Sequence, residues 1–208
     1  MTLLFLETCL PATTLSLYDE AQNTPFTVVD TAPRPSERLH QHVADLLQEQ
    51  QLTPQDISGL VVTLGPGSFT GARVGLAFAE AWRLALGIPV YTFTTLEALS
   101  ISFLADQPTT RHTVLLDTLT QDVYTQSFTT DGYAENDPTC TPQTDMTPTS
   151  DVPLIGHALD AGVGQLDATI IAVQWHVPAL CKAAIEQGAA TGPLHPLYVK
   201  ALEYRKMR

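Results

Sequence analysis

Positively charged side chains are scarce in this chain. Ten Lys and Arg stand against 22 Asp and Glu, for a formal net charge of −12. Gripping a nucleic-acid backbone or an anionic membrane surface depends on Lys and Arg, so this balance argues against either as an activity of the chain alone. The basic residues crowd toward one end, at Lys200, Arg205, Lys206 and Arg208. Such a cluster is either a solvated terminus or a contact for an acidic partner. Cysteine is scarce too. Cys9, Cys140 and Cys181 form neither an even-numbered framework nor a CxxC pair, which excludes a disulfide scaffold and points to a reduced, cytoplasmic setting. No stretch approaches the ~20 apolar residues of a membrane span. Residues 1–6 lack the basic flank of a secretory signal and are followed by Glu7, so they read as a first strand. Metal-ligand spacing is missing as well: neither HxxxH nor HExxH occurs, and His40 and His42, two apart on a predicted helix, point to different faces. What is present in quantity is apolar residues, 44% against 15% charged, enough for one large domain or two small lobes.

The most specific local feature is Gly65-Pro66-Gly67-Ser68-Phe69-Thr70-Gly71, set between a predicted strand at 60–64 and a predicted helix at 71–87. Ser68 or Thr70 is placed to cap that helix. A glycine-rich strand-to-helix turn bends sharply and aims free N–H groups at whatever lies above the helix end, so Gly67, Ser68 and Thr70 form a candidate anion site. A tight turn with no ligand explains the same residues. Both common nucleotide patterns fail. Ala72-Arg73 stands where a P-loop has Lys-Ser/Thr, and Gly65, Gly67 and Gly71 give a spacing one residue too long for the dinucleotide loop. Pro66, two residues before Ser68, rules out a nucleophile elbow.

An internal repeat organises the rest. Residues 4–8 (LFLET) and 115–118 (LLDT) each read as a buried strand ending in an acid and a threonine, and each is followed by a second strand and an acidic turn. A third strand at 26–29, a helix opened by Ser36 and Glu37, the 60–64 strand, the 71–87 helix and a helix capped by Thr94 follow the first hairpin. The expected fold class is therefore α/β, with two lobes built on mixed sheets flanked by helices. Residues 1–105 form the first lobe and 106–208 a smaller second one. Strands at 154–156 and 169–173 and a helix at 178–187 belong to the second, and the last ~15 residues pack back on the first lobe.

An acid closing the first strand of each lobe is the plan of the actin, Hsp70 and sugar-kinase superfamily, in which paired carboxylates hold Mg²⁺-bound nucleotide between the lobes. Glu7, Thr8 and Asp117 stand at those places. The turns after them, residues 9–12 and 118–121, contain no glycine, so their amides do not easily close around phosphates. The helix at 71–87 points elsewhere. Gly71, Gly75 and Ala79 make a smooth stripe beside Ala72, Leu76 and Arg83, suited to packing on the sheet or on another helix. The helix is small or apolar over most of its circumference, which predicts that a second face is also covered. Its proposed neighbour in an exposed interface is the first helix, with Leu39, Val43, Leu46 and Leu47.

The stretch GPGSFTGARVGLAFAEAWRLALGIPVYTFTTLEAL resembles the signature of the bacterial TsaB (YeaZ) family. Residues 35–39 (PSERL), 117 and 122–124 (DVY) are similar to that family as well, and the resemblance covers residues 3–128, with 196–198 beyond. It implies the two-lobed actin-like fold and a non-catalytic subunit in the making of threonylcarbamoyladenosine in tRNA. Such a subunit pairs through its first two helices with a catalytic homologue, TsaD, and an ATPase, TsaE, joins them. The complex moves a threonylcarbamoyl group from its adenylate onto the adenosine beside the anticodon, so tRNA is met only through the complex. Self-association of the isolated chain through the same helices is implied too. No cofactor is implied for this chain, with ATP at the partner interface left open. Glu7 where the family has aspartate, and Thr118-Leu119-Thr120 where it has a basic pair, weaken an ATP site further. The competing expectation is an ATP- or metal-dependent enzyme of the sugar-kinase or glycoprotease type.

Overall fold

The computed structural model describes residues 1–32, 35–118, 120–146, 152–157 and 169–200. The basic cluster at Arg205, Lys206 and Arg208, and Leu119, lie outside the described residues.

Two five-stranded sheets repeat one plan. The first is built from β1 (Thr2–Glu7), β2 (Thr13–Asp19), β3 (Thr24–Asp30), β4 (Gly59–Thr63) and β5 (Val90–Phe93), in the order β3-β2-β1-β4-β5. β1 pairs antiparallel with β2 and parallel with β4. The second contains β6 (His112–Asp117), β7 (Asp122–Phe128), β8 (Thr139–Pro142), β9 (Leu154–Gly156) and β10 (Ile170–Ala172), in the order β10-β9-β6-β7-β8. β6 takes the role of β1, antiparallel to β7 and parallel to β9. Glu7 and Asp117 thus close equivalent central strands.

Helices cover the first sheet on both faces. α1 (Leu39–Glu49) and α2 (Phe69–Leu86) share one face, where Leu39, Val43, Leu46, Leu76 and Ala79 meet Leu4, Leu6, Leu60 and Val62. A short helical turn, Pro35–Arg38, precedes α1, so the predicted Ser36 start is displaced to Leu39. Arg38 and His42 instead bind Asp30 at the end of β3, at 2.5 and 2.7 Å, and tie the helix start to the sheet. α2 begins two residues before the predicted start because the Ser68 hydroxyl accepts the Gly71 N–H at 3.1 Å. It ends where Gly87 takes the left-handed conformation.

α3 (Thr95–Asp106) is clamped between the lobes. Ala98 and Ile101 pack toward Phe5 and Val61 of the first sheet, while Leu96, Leu99 and Phe103 pack toward Val114, Leu116 and Phe128 of the second. A helix packed on two sheets needs apolar residues on two faces, as its sequence has. Its Thr94 and Glu97 form the capping box foreseen from the sequence. α4 (Val177–Gln187) departs from expectation. It lies on the first sheet, with Leu180, Cys181 and Ala184 against Leu3, Phe5 and Tyr18, although its sequence neighbours are strands of the second. The face of the first sheet opposite α1 and α2 is apolar, and α4 buries it together with α3.

Candidate functional site

The end of β1 is buried and filled by its own turn. Glu7 is fully buried, and its Oε1 accepts the backbone N–H groups of Cys9 and Leu10, the latter at 3.0 Å. Among the described residues, its Oε2 has no hydrogen-bond partner. Burial drives the carboxyl from 4.5 up to about 7, against the opposing pull of the Thr63 hydroxyl and the Cys9 and Leu10 amides. The adjoining Cys9 thiol, between the Thr63 hydroxyl and carbonyl, is pushed far above its usual range by burial and by Glu7. A thiol kept protonated in this way is not a nucleophile. Asp117 sits half-buried at the matching end of β6, and Thr118 turns its hydroxyl to the Asp122 carbonyl at 2.9 Å.

The glycine loop faces this same turn. The Ser68 N–H donates to the Cys9 carbonyl at 2.6 Å. A Cβ on Gly67 would come within 2.2 Å of the Cys9 oxygen, and one on Gly71 within 1.8 Å of the Thr8 oxygen. The Thr8 hydroxyl donates to the Gly71 carbonyl at 2.8 Å and would lie 2.3 Å from a Cβ on Gly75. Gly67, Gly71 and Gly75 therefore form a rail on which residues 8 and 9 lie. For the candidate anion site of Gly67, Ser68 and Thr70, the structure gives the loop a packing role: the Cys9 and Thr8 carbonyls lie against Gly67 and Gly71, the Ser68 hydroxyl caps α2, and Thr70 is exposed. Thr8 is likewise turned into the glycine rail. The spacing of glycines by four was the signal for this contact.

A correction concerns the helix surface. Leu39, Val43, Leu46, Leu47, Ala72, Leu76 and Ala79 are all core residues, and Gly75 is buried under Thr8, so none can present an exposed interface. Arg83 pairs with Glu80 at 2.6 Å and donates to the Gly192 carbonyl at 2.9 Å. The outward stripe of α2 is a different set, missed from the sequence: Ala77, Ala81, Leu84 and Ala85 are exposed, flanked by half-buried Val74, Phe78 and Trp82. Leu84 is 82% exposed, and the rings of Phe78 and Trp82 lie 5.1 Å apart. The outward side of α1, by contrast, is mostly polar, with His40, Gln41, Asp45, Gln48 and Glu49.

The histidines serve the structure. His112 stacks on Phe128 with Phe103 tilted against it, donates from Nδ1 to the Thr110 carbonyl at 2.7 Å and is left to accept the Ser100 hydroxyl at 2.8 Å. His157 donates to the Val173 carbonyl, and His176 accepts the Ala179 N–H to cap α4. Among the described residues, no three His, Cys, Asp or Glu side chains gather as a metal-ligand set. No helix among them is long and apolar enough to cross a membrane.

Two copies of one strand plan, joined through a buried helix and each closing its central strand with an acid, define the two-lobed class of actin, Hsp70 and the sugar kinases. The sequence model of the family TsaD, tRNA N6-adenosine threonylcarbamoyltransferase, matches residues 30–146. The chain belongs to that family, in its TsaB/YeaZ branch. An uncharacterised protein of Mycobacterium tuberculosis is 32% identical over 165 residues, covering 79% of this chain and 74% of the relative. The tRNA threonylcarbamoyladenosine biosynthesis protein TsaB of Escherichia coli is 27% identical over 133 residues, 63% of this chain and 56% of its own. YeaZ from Pseudomonas aeruginosa has the same fold, with a TM-score of 0.76 at 22% identity over 95% of this chain and 99% of that one.

Proposed function

We propose that this chain is the non-catalytic subunit of a cytoplasmic complex that makes threonylcarbamoyladenosine in tRNA, and that it pairs with a TsaD-type catalytic homologue through the outward face of α2. The observation that carries this reading is the apolar stripe Ala77, Ala81, Leu84 and Ala85 with Val74, Phe78 and Trp82 beside it, unlike the mostly polar outer side of α1. A contiguous apolar patch on a helix is the surface a partner covers. Its small residues let a facing helix approach closely. In the absence of that partner, the same stripe drives association of two copies. A TsaE-type ATPase completes the assembly, with ATP at the partner interface. Catalysis belongs to the homologue, which also supplies most of the basic contact to tRNA, in keeping with a net charge of −12 here. The turn at residues 8–12 supports a subunit without nucleotide chemistry of its own, because the chain itself fills the space beneath the glycine loop.

Co-purification with the TsaD-type homologue of the same organism tests the pairing. Ala81→Arg and Leu84→Glu are expected to abolish capture while leaving the fold intact. Undiminished capture by both variants overturns the α2 surface. Mg-ATP hydrolysis by the isolated chain that is lost in Asp117→Ala overturns the non-catalytic role.

A further inference from the structure

The last described stretch, 188–200, is laid across both lobes as a strap. Its first half is sewn to the first lobe. The Ala190 N–H donates to the Val90 carbonyl on β5 at 2.8 Å, and the Leu194 N–H donates to the Glu80 carboxylate at 2.9 Å. The Leu197 N–H donates to the Leu64 carbonyl just past β4 at 2.8 Å, and its own carbonyl would stand 3.0 Å from a Cβ on Gly65. The Tyr198 ring stacks on Phe69 with centroids 5.0 Å apart, and its hydroxyl accepts from Arg73 Nε at 3.0 Å. Here the chain changes lobes. Val199 packs into the cluster of Leu10, Leu96, Leu116 and Tyr124. The Lys200 ammonium then pairs with the Asp122 carboxylate and reaches the Thr120 hydroxyl at 3.1 Å. Thr120 lies in the turn that follows Asp117 and Asp122 opens β7, while Leu64 follows the strand paired with β1, which ends in Glu7. The strap therefore ties the segment after β4 in the first lobe to the start of β7 in the second.

We propose that this strap is an intramolecular latch: it holds the two lobes in one orientation, with the Lys200–Asp122 pair as its releasable clasp. The two halves differ in strength by their chemistry. The first-lobe side is held by backbone hydrogen bonds and a ring stack, and Pro193 and Pro196 stiffen it. The second-lobe side ends in an ion pair whose Lys200 and Asp122 side chains are 41% and 21% exposed, so water and salt weaken it. Release therefore starts at Lys200 and runs back toward Leu197.

The test uses the full isolated chain, so its failure leaves the pairing proposal untouched. Amide exchange at Leu197 and Ala190 reports strap opening. Nitroxide labels on Glu49→Cys and Tyr133→Cys, in a Cys140→Ser background, report the distance between lobes. Lys200→Glu is expected to speed exchange at Leu197 by roughly 1.5- to 5-fold, as the loss of one exposed ion pair allows, and to broaden the distance distribution. Ala190 stays protected, because the strap opens from the other end. The charge swap Asp122→Lys with Lys200→Asp restores both readouts, and high salt reproduces Lys200→Glu in the wild type. Leu197→Pro, which removes the donor to Leu64, broadens the distances further. Wild-type distances and exchange in Lys200→Glu overturn the clasp, and wild-type distances in Leu197→Pro as well overturn the latch.

Discussion

Glu7→Gln is expected to make the protein more stable in alkali while changing little in acid. Gln keeps an oxygen to accept the Cys9 and Leu10 amides and matches the neutral acid in shape, so what it removes is the ionisation. In the folded chain, burial holds the Glu7 proton up to about pH 7, whereas the unfolded chain releases it near 4.5. Between those values the folded state binds more protons than the unfolded one, so its stability falls as pH rises and levels off above 7. At about 1.4 kcal/mol for each tenfold change in proton affinity, the full loss is about 3 kcal/mol. Urea unfolding of both proteins at about pH 5 and about pH 8.5 should therefore show the variant gaining roughly 2 to 3 kcal/mol on the wild type across that interval. Other titrating groups cancel in the comparison because both proteins carry them. Parallel pH profiles would refute the reasoning, for they would mean that Glu7 ionises as freely in the folded chain as in the unfolded one.

Gly71→Ala drives a methyl group into the Thr8 carbonyl and should cost about 1–3 kcal/mol or more in urea unfolding, whereas Gly192→Ala, with nothing among the described residues within 4 Å, should be near neutral. His112 and His157 are held below their usual 6.5 by burial, so the stability they contribute is present above 6.5 and is lost as pH falls; His112→Gln should blunt the drop in urea midpoint between neutral and mildly acidic buffer. Leu84→Glu should leave the melting temperature unchanged, with an effect within about 0.5 kcal/mol. In light scattering the isolated variant should stay monomeric at concentrations where the wild type associates.

The strands were legible because apolar runs such as residues 60–64 are bounded by turn residues, and α3 because its capping box marks where a largely apolar helix starts. The repeat of Glu7-Thr8 in Asp117-Thr118 carried the two-lobed plan, and the topology repeats it strand for strand. The two faces of α2 were confused for a physical reason. Gly71, Ala72, Gly75 and Ala79 line its inner side and Ala77, Ala81 and Ala85 its outer side, so size and hydropathy barely distinguish them. Only the approach of Thr8 decides which side is in, and that contact joins residues far apart in the chain. The placement of α4 on the first sheet is non-local in the same way: its apolar face says that it packs, and not on which of two sheets.

The rail of glycines under residues 8 and 9 has a consequence for anyone redesigning this scaffold. Glycine spacing there records how closely two pieces of the same chain approach, so a search for nucleotide binders keyed on such loops will return chains of this kind for steric reasons. Trimming the loop further would open nothing. Room for a phosphate has to come from the opposite wall, by rebuilding residues 8–12 so that amides rather than the Thr8 and Cys9 carbonyls face Gly67 and Gly71.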